Sequence, residues 1–493
     1  MPAYTPETAA AWEAALVTAV LGYIQAMTRI VGPTRAVYVA VDGVAPMAKI
    51  RQQRARRFKS AIAAAEEAAV RGRDASAPRW DSNAITPGTA FMARLTAALR
   101  GFKHAAGVPV VVSPADEAGE GEQKIMDYLR THADIRDVVV YGLDADLIVL
   151  ALLEHARTGR SVDLFREETE FNGAVKRAAT GEEQYLYLHV GHLAGALHAA
   201  WSPAGCGLGE FIVDFVGAMN LLGNDFVPHG LALKINDQGI EHVLQVLKGF
   251  KSRLVVADGS GGAEGGRYDW DTLRALFAVL AANEERWMLR GIRRKLETRV
   301  GSTTAKDEEA RAVARLNDRP VEWAAERGVW VEERRVAGEE KPRLEFREGW
   351  RAEYYKHGLW GATPIDVVRA YIHTLEWTLA YYFGERVDQT WYYPWLLPPL
   401  IGDLTEFQTP PPPLPAPVAF GLAPLEQLAM VLPLTSFHLL PAELHTLPLR
   451  YPHAWPERWE VFSLGRRFLW ECEPLIPLVQ PAQIRRWVDE CLN

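Results

Sequence analysis

Residues 37–59 read VYVAVDGVAPMAKIRQQRARRFK, and the fold follows from how that stretch divides. Five apolar, β-rich residues end on Asp42, Gly43 and Pro46 interrupt the chain, and a run with helical period follows. A strand that delivers an acid at its carboxyl end and passes straight into a helix is the opening of an α/β unit. In such sheets ligands gather beyond the carboxyl ends of the strands. The pattern recurs downstream. Residues 108–112 (VPVVV) and 138–141 (VVVY) read as buried strands, each followed by a polar, acid-bearing segment.

Four segments supply carboxylates at the ends of elements. Asp42 lies at the tip of the first strand. Glu120 and Glu122 sit in EAGEGEQKIMDYLR, where glycines permit a tight loop before a helix. Asp144 and Asp146 close the third strand in YGLDADLIVL, and Asp225 lies in the Gly-Asn-Asp loop of LLGNDFVPH. Taken singly, an aspartate at a strand end is usually a helix cap, and a glutamate in a first turn usually serves the helix dipole. Taken together, the four segments suit Mg²⁺ or Mn²⁺, hard cations that take oxygen ligands. Two such ions about 4 Å apart can activate a water and stabilise the leaving oxygen of a phosphodiester.

The helix after Asp42 is basic at six of the eleven positions from 49 to 59. Lys49, Gln53, Arg56 and Arg57 fall at i, i+4, i+7 and i+8 and share one face. An ammonium, an amide and two guanidinium forks suit a terminal phosphate. Arg51, Arg54 and Lys59 fit a solvated face or a general backbone contact equally well.

The whole chain has 493 residues and a net charge of −8, with 48% apolar and 24% charged residues. That is the composition of a folded chain of two or three units. The acidic total excludes a uniformly basic coat for nucleic acid but not a local basic face. Cys206, Cys472 and Cys491 stand far apart and make neither a disulfide framework nor a zinc spacing, which fits an intracellular setting, cytoplasmic or nuclear. Residues 2–27 read as a helix starting at Thr5-Pro6-Glu7, and no apolar run is expected to span a bilayer.

Three units are expected. Residues 1–255 form an α/β core. Residues 256–346 form a linker (the Gly-rich 256–266) with a variable helical and charged segment. Residues 347–493 form a largely helical, aromatic-rich region with one strong amphipathic helix over 364–383. Residues 410–417 (PPPPLPAP) are expected to be polyproline II.

Several of these segments resemble the Xrn family of 5′→3′ exoribonucleases. VYVAVDGVAPMAKIRQQRARRFKSA, WDSNAITPGTAFM, EGEQKIMDYLR, VVVYGLDADLIVLAL and DFVGAMNLLGNDFVPH are similar, in order, to that family's first conserved region. EYYKHG, YIHTLEWTLAYYF, WYYPWLLPPLIGDL, LEQLAMVLP and WECEPLIPLV are similar to its second. The resemblance implies a PIN/flap-nuclease-like α/β core with a central, mostly parallel sheet plus a helical second region. It implies metal binding by Asp42, Glu120, Glu122, Asp144, Asp146 and Asp225 with two Mg²⁺ or Mn²⁺ ions. It places a 5′-monophosphate at Lys49, Gln53, Arg56 and Arg57, and assigns base stacking to Trp391. The substrate implied is single-stranded RNA, degraded processively to mononucleotides, with no membrane.

The family's opening strand and its metal-ligand aspartate have no counterpart here; either the sequence is an N-terminally truncated reading of a longer protein or the lineage lost a strand and a ligand. The site is expected to be weaker without them. Two other functions stay open: a catalytically weakened RNA-binding or scaffold homologue, and a flap-endonuclease-like nuclease. Residues 227–247 lack the Gly-rich helix-hairpin-helix that the latter would carry.

Overall fold

The computed structural model of the protein describes residues 4–72, 79–142, 144–169, 175–178, 181–257, 265–297, 307–317, 329–335, 337–338, 342–407, 414–415 and 421–493. The polyproline expectation therefore lies almost wholly outside the described residues.

The first helix, α1 (Ala9–Val31), starts later than Thr5. The Thr5 hydroxyl instead closes a turn by accepting the Thr8 amide at 3.2 Å. By length and composition α1 is apolar enough to cross a membrane, with mean hydropathy 1.5, which corrects the expectation that no run is. One face of it packs on the protein. Leu16, Val17, Val20 and Ile24 lie on Phe91, Met92, Leu95 and Leu99 of α3 (Ala90–Arg100).

Each expected strand forms within two residues of its expected limits. β1 (Val37–Ala40) pairs in parallel with β2 (Val110–Ser113). β3 (Asp137–Tyr141) pairs in parallel with β4 (Ser161–Glu167), which pairs antiparallel with β5 (Tyr185–His189). Among the described residues no ladder joins β1 to β3, so two small sheets stand where one central sheet was expected. They are joined by α4 (Gly121–Thr131). Tyr128 of α4 stacks on Tyr38 of β1 at 4.3 Å, and Arg160, at the foot of β4, donates to the carbonyls of Leu129 and His132 at 3.1 and 3.0 Å.

The main apolar cluster takes in α5 (Ala145–Thr158), α7 (Leu208–Met219) and the helix Pro364–Phe383. That last helix has the expected limits, set by the Thr363 cap, Pro364 at the first turn and the left-handed Gly384. It is not amphipathic throughout, because from Tyr371 to Phe383 every residue but His373 is buried. The Gly-rich stretch is flanked by a hairpin, Val255–Ala257 against Gly266–Tyr268, and the Tyr268 hydroxyl donates to the Gly217 carbonyl of α7 at 2.8 Å. A second cluster packs Met47, Ile50 and Phe58 of α2 (Met47–Val70) against Leu428, Trp455 and Trp487. Helix α2, from the first half of the chain, therefore packs its apolar face on residues of the second half.

Candidate active site

The acids are presented by tight local structure. Lys124 donates to the carbonyls of Val41 and Pro114, both at 2.8 Å, and ties the ends of β1 and β2 together. The Gly121 amide then donates to Asp42 Oδ1 at 2.7 Å. Gly43 is required here: a Cβ on it would lie 1.7 Å from the Glu117 carbonyl oxygen. In the Gly-Asn-Asp loop the Asn224 carboxamide accepts the amides of Phe226 and Val227, both at 2.9 Å. That turn projects Asp225.

Glu120 stands at the N-cap position of α4 without a side-chain cap bond and is buried, with Glu122 in the first turn beyond it. Asp144 stands at the N-cap position of α5, also without a side-chain cap bond, and is exposed, and Asp146 lies in its first turn, half-buried. Burial pushes the Glu122 carboxyl up to about 8, helped by Glu120, and Asp146 and Asp42 act on it too. Burial also raises Asp146, with Asp225 as the next cause and Asp144 contributing. All six expected acids therefore share one electrostatic neighbourhood, which Asp42 and Asp144 enter from the exposed side.

Lys49 stands among these acids rather than beside a phosphate pocket. Its ammonium lies 2.7 Å from Glu120 Oε1 and 2.6 Å from Asp225 Oδ2. Burial works against the charge, but Glu120 and Asp225 outweigh it and hold Lys49 protonated beyond its ordinary range. Gln52 completes the grip on Asp225, donating to Oδ1 at 3.2 Å. No motif or spacing pointed to a role for Gln52.

The other ligands to the acids come from the second region. Tyr381 donates to Glu120 Oε2 at 2.8 Å and Tyr382 to Asp146 Oδ1 at 3.1 Å. The Tyr381 ring also packs on Trp377 at 5.2 Å. Its neighbours keep to packing: Tyr354 donates to the Pro398 carbonyl and Trp377 to that of Asp388. Trp470 is 56% exposed.

The basic helix divides its residues between two tasks. Arg51, Arg54 and Lys59 hold carbonyls of the second region. Arg51 reaches Pro394 at 2.9 Å, Lys59 reaches Trp470 and Cys472 at 2.9 and 3.0 Å, and the buried Arg54 reaches Met430, Ala454 and Pro477. On the other face Gln53 Oε1 and one terminal nitrogen of Arg57 are buried without a partner among the described residues. Such orphans are costly unless a ligand or water meets them. Burial lowers Arg57 to about 10, with Arg56 adding to the effect. Arg56 is exposed. Trp391 is half-buried; it donates to the Thr374 hydroxyl at 3.1 Å and packs on His373 at 4.1 Å.

The donor set is all oxygen, which suits a hard divalent cation. Among the described residues no three Asp, Glu, His or Cys side chains converge into a ready metal cage. The oxygens of Glu120 and Asp225 turn to the Lys49 ammonium instead.

Two family models match the chain. One, for the XRN 5′-3′ exonuclease N-terminus, covers residues 3–168, and one for the Xrn1 helical domain covers residues 297–490. The human 5′-3′ exoribonuclease 1 is 28% identical over 96% of this chain and 30% of its own length. The corresponding Saccharomyces cerevisiae protein is 26% identical over 94% of this chain and 38% of its own. The Candida glabrata 5′-3′ exoribonuclease 2 is 34% identical over 50% of this chain and 29% of its own. The chain thus spans about a third of the length of these relatives.

Proposed function

Because this chain belongs to the Xrn-type family, we propose that it is a metal-dependent 5′→3′ exoribonuclease. It hydrolyses single-stranded RNA processively from a 5′-monophosphate end to mononucleotides, in an intracellular setting. The observation that carries the proposal is the juxtaposition on α2. Its first turn reaches the acids through Lys49, and its third turn carries the orphaned guanidinium nitrogen of Arg57.

Asp42, Glu120, Glu122, Asp144, Asp146 and Asp225 would hold two Mg²⁺ or Mn²⁺ ions. Such ions supply charge neutralisation at the scissile phosphodiester and a more acidic bound water. Gln53 and Arg57 bind and orient the terminal phosphate, with Arg56 reaching in from the exposed side. An arginine fork gains most from a doubly charged phosphate, which is the basis of end selectivity. Tyr381 and Tyr382 keep Glu120 and Asp146 aimed. Trp391 stacks the leading bases.

The test is degradation of 5′-monophosphorylated RNA labelled at its 3′ end, with Mg²⁺ or Mn²⁺ and with EDTA. Mononucleotides should appear from the 5′ end only while metal is present. Equal activity in EDTA, or internal cleavage, would overturn the proposal.

A further inference from the structure

We infer that Lys49 is a built-in counter-ion that holds the acid cluster together and must be displaced when a divalent cation enters. This inference rests on the metal site just proposed. The Lys49 ammonium joins two carboxylates from distant elements, Glu120 at the start of α4 and Asp225 in the loop after α7, at 2.7 and 2.6 Å. The Lys49 side chain is only 17% exposed. Its position is that of a bridging cation. A Mg²⁺ ion bound to the same two oxygens needs them about 2.0–2.1 Å away, and no room remains for an ammonium already in contact with both. Like charge at such a separation also disfavours joint occupancy. Occupancy by metal and by Lys49 is therefore mutually exclusive at these oxygens.

The arrangement accounts for one other feature. The absence of a ready cage among the described acids follows from their oxygens having turned to Lys49. Once displaced, the ammonium remains one helical turn from Gln53, on the face of α2 that would meet an incoming phosphate.

The experiment is calorimetric titration of Mn²⁺ into the wild-type chain and into Lys49→Met, Lys49→Arg and Asp146→Asn variants, with melting curves in EDTA and in Mn²⁺. Lys49→Met should bind Mn²⁺ at least about tenfold more tightly than wild type, since its competitor is gone. It should melt lower than wild type in EDTA and regain that loss in Mn²⁺. Lys49→Arg, which keeps the charge, should bind no more tightly than wild type. Lys49→Gln provides the same comparison if the methionine variant does not fold. Equal or weaker Mn²⁺ binding by the neutral variants would overturn the counter-ion role alone. Failure of the wild type to bind Mn²⁺, or binding that Asp146→Asn leaves intact, would overturn the metal site itself.

Discussion

Replacing Tyr381 with phenylalanine removes one hydroxyl and leaves the ring, so it isolates what the second region contributes to the acids. The hydroxyl donates to Glu120 Oε2 at 2.8 Å in a buried setting, while the ring stays stacked on Trp377. A hydrogen bond to a charged group contributes about 1.5–3 kcal/mol net. Lys49 still holds the other Glu120 oxygen in the metal-free state, so the lower end of the range applies, about 1.5 kcal/mol. At about 1.4 kcal/mol per factor of ten, Tyr381→Phe should weaken Mn²⁺ binding roughly tenfold, within the span found for residues that orient metal ligands. Tyr382→Phe loses a longer bond, 3.1 Å to Asp146, and should cost about 1 kcal/mol, or roughly fivefold. The two hydroxyls hold acids of one electrostatic neighbourhood, so the double variant should depart from the simple product of the two effects. The assay is calorimetric Mn²⁺ titration alongside single-turnover cleavage of 5′-monophosphorylated RNA. Wild-type Mn²⁺ affinity in both single variants would show that the tyrosines only pack and do not position the acids.

Three further outcomes are expected. Asp225→Asn should lower the cleavage rate by orders of magnitude while RNA retention in a filter assay changes little, and a rate within a few-fold of wild type would remove Asp225 from the site. Arg57→Ala should slow degradation of 5′-monophosphorylated RNA far more than that of 5′-hydroxyl RNA; equal slowing would make α2 a general backbone contact. Glu376 is buried in the helix Pro364–Phe383 with Oε2 unpartnered, and burial pushes its carboxyl up to about 7. The folded state then keeps a proton that the unfolded state releases, so stability falls as pH rises from about 4.5 through about 7. Glu376→Gln should raise stability at pH 8 by up to about 3 kcal/mol and change little at pH 5, and melting curves that shift equally at both pH values would contradict it.

Much of the scaffold was legible along the chain. The runs at 37–41, 108–112 and 138–141 mark β1, β2 and β3, because alternating and continuous β-branched runs state their own period. The limits of the helix Pro364–Phe383 were legible because its cap, first-turn proline and terminal glycine are adjacent in sequence. The Asn224 turn that projects Asp225 is local in the same way. The order of acids and the basic face of α2 needed no tertiary information.

What depends on distant partners could not be read in that way. Helical spacing put Lys49 on one face with Gln53 and Arg57, yet its ammonium is drawn to Glu120 and Asp225, whose positions α4 and the Asn224 turn decide. Helical period cannot say which side of a helix a second region will cover. Arg54, basic and set among other basic residues, is therefore buried on carbonyls of residues 430, 454 and 477. Among the described residues β1–β2 and β3–β5 pair separately, because strand pairing is a long-range choice that a strand's own residues do not encode. Tyr381 meets Glu120 across 261 residues. The chain determined by itself which groups could bind cations and phosphate, since composition and period are local. Only the tertiary structure decided which group neutralises which, because a charge finds its partner through packing and not through sequence distance.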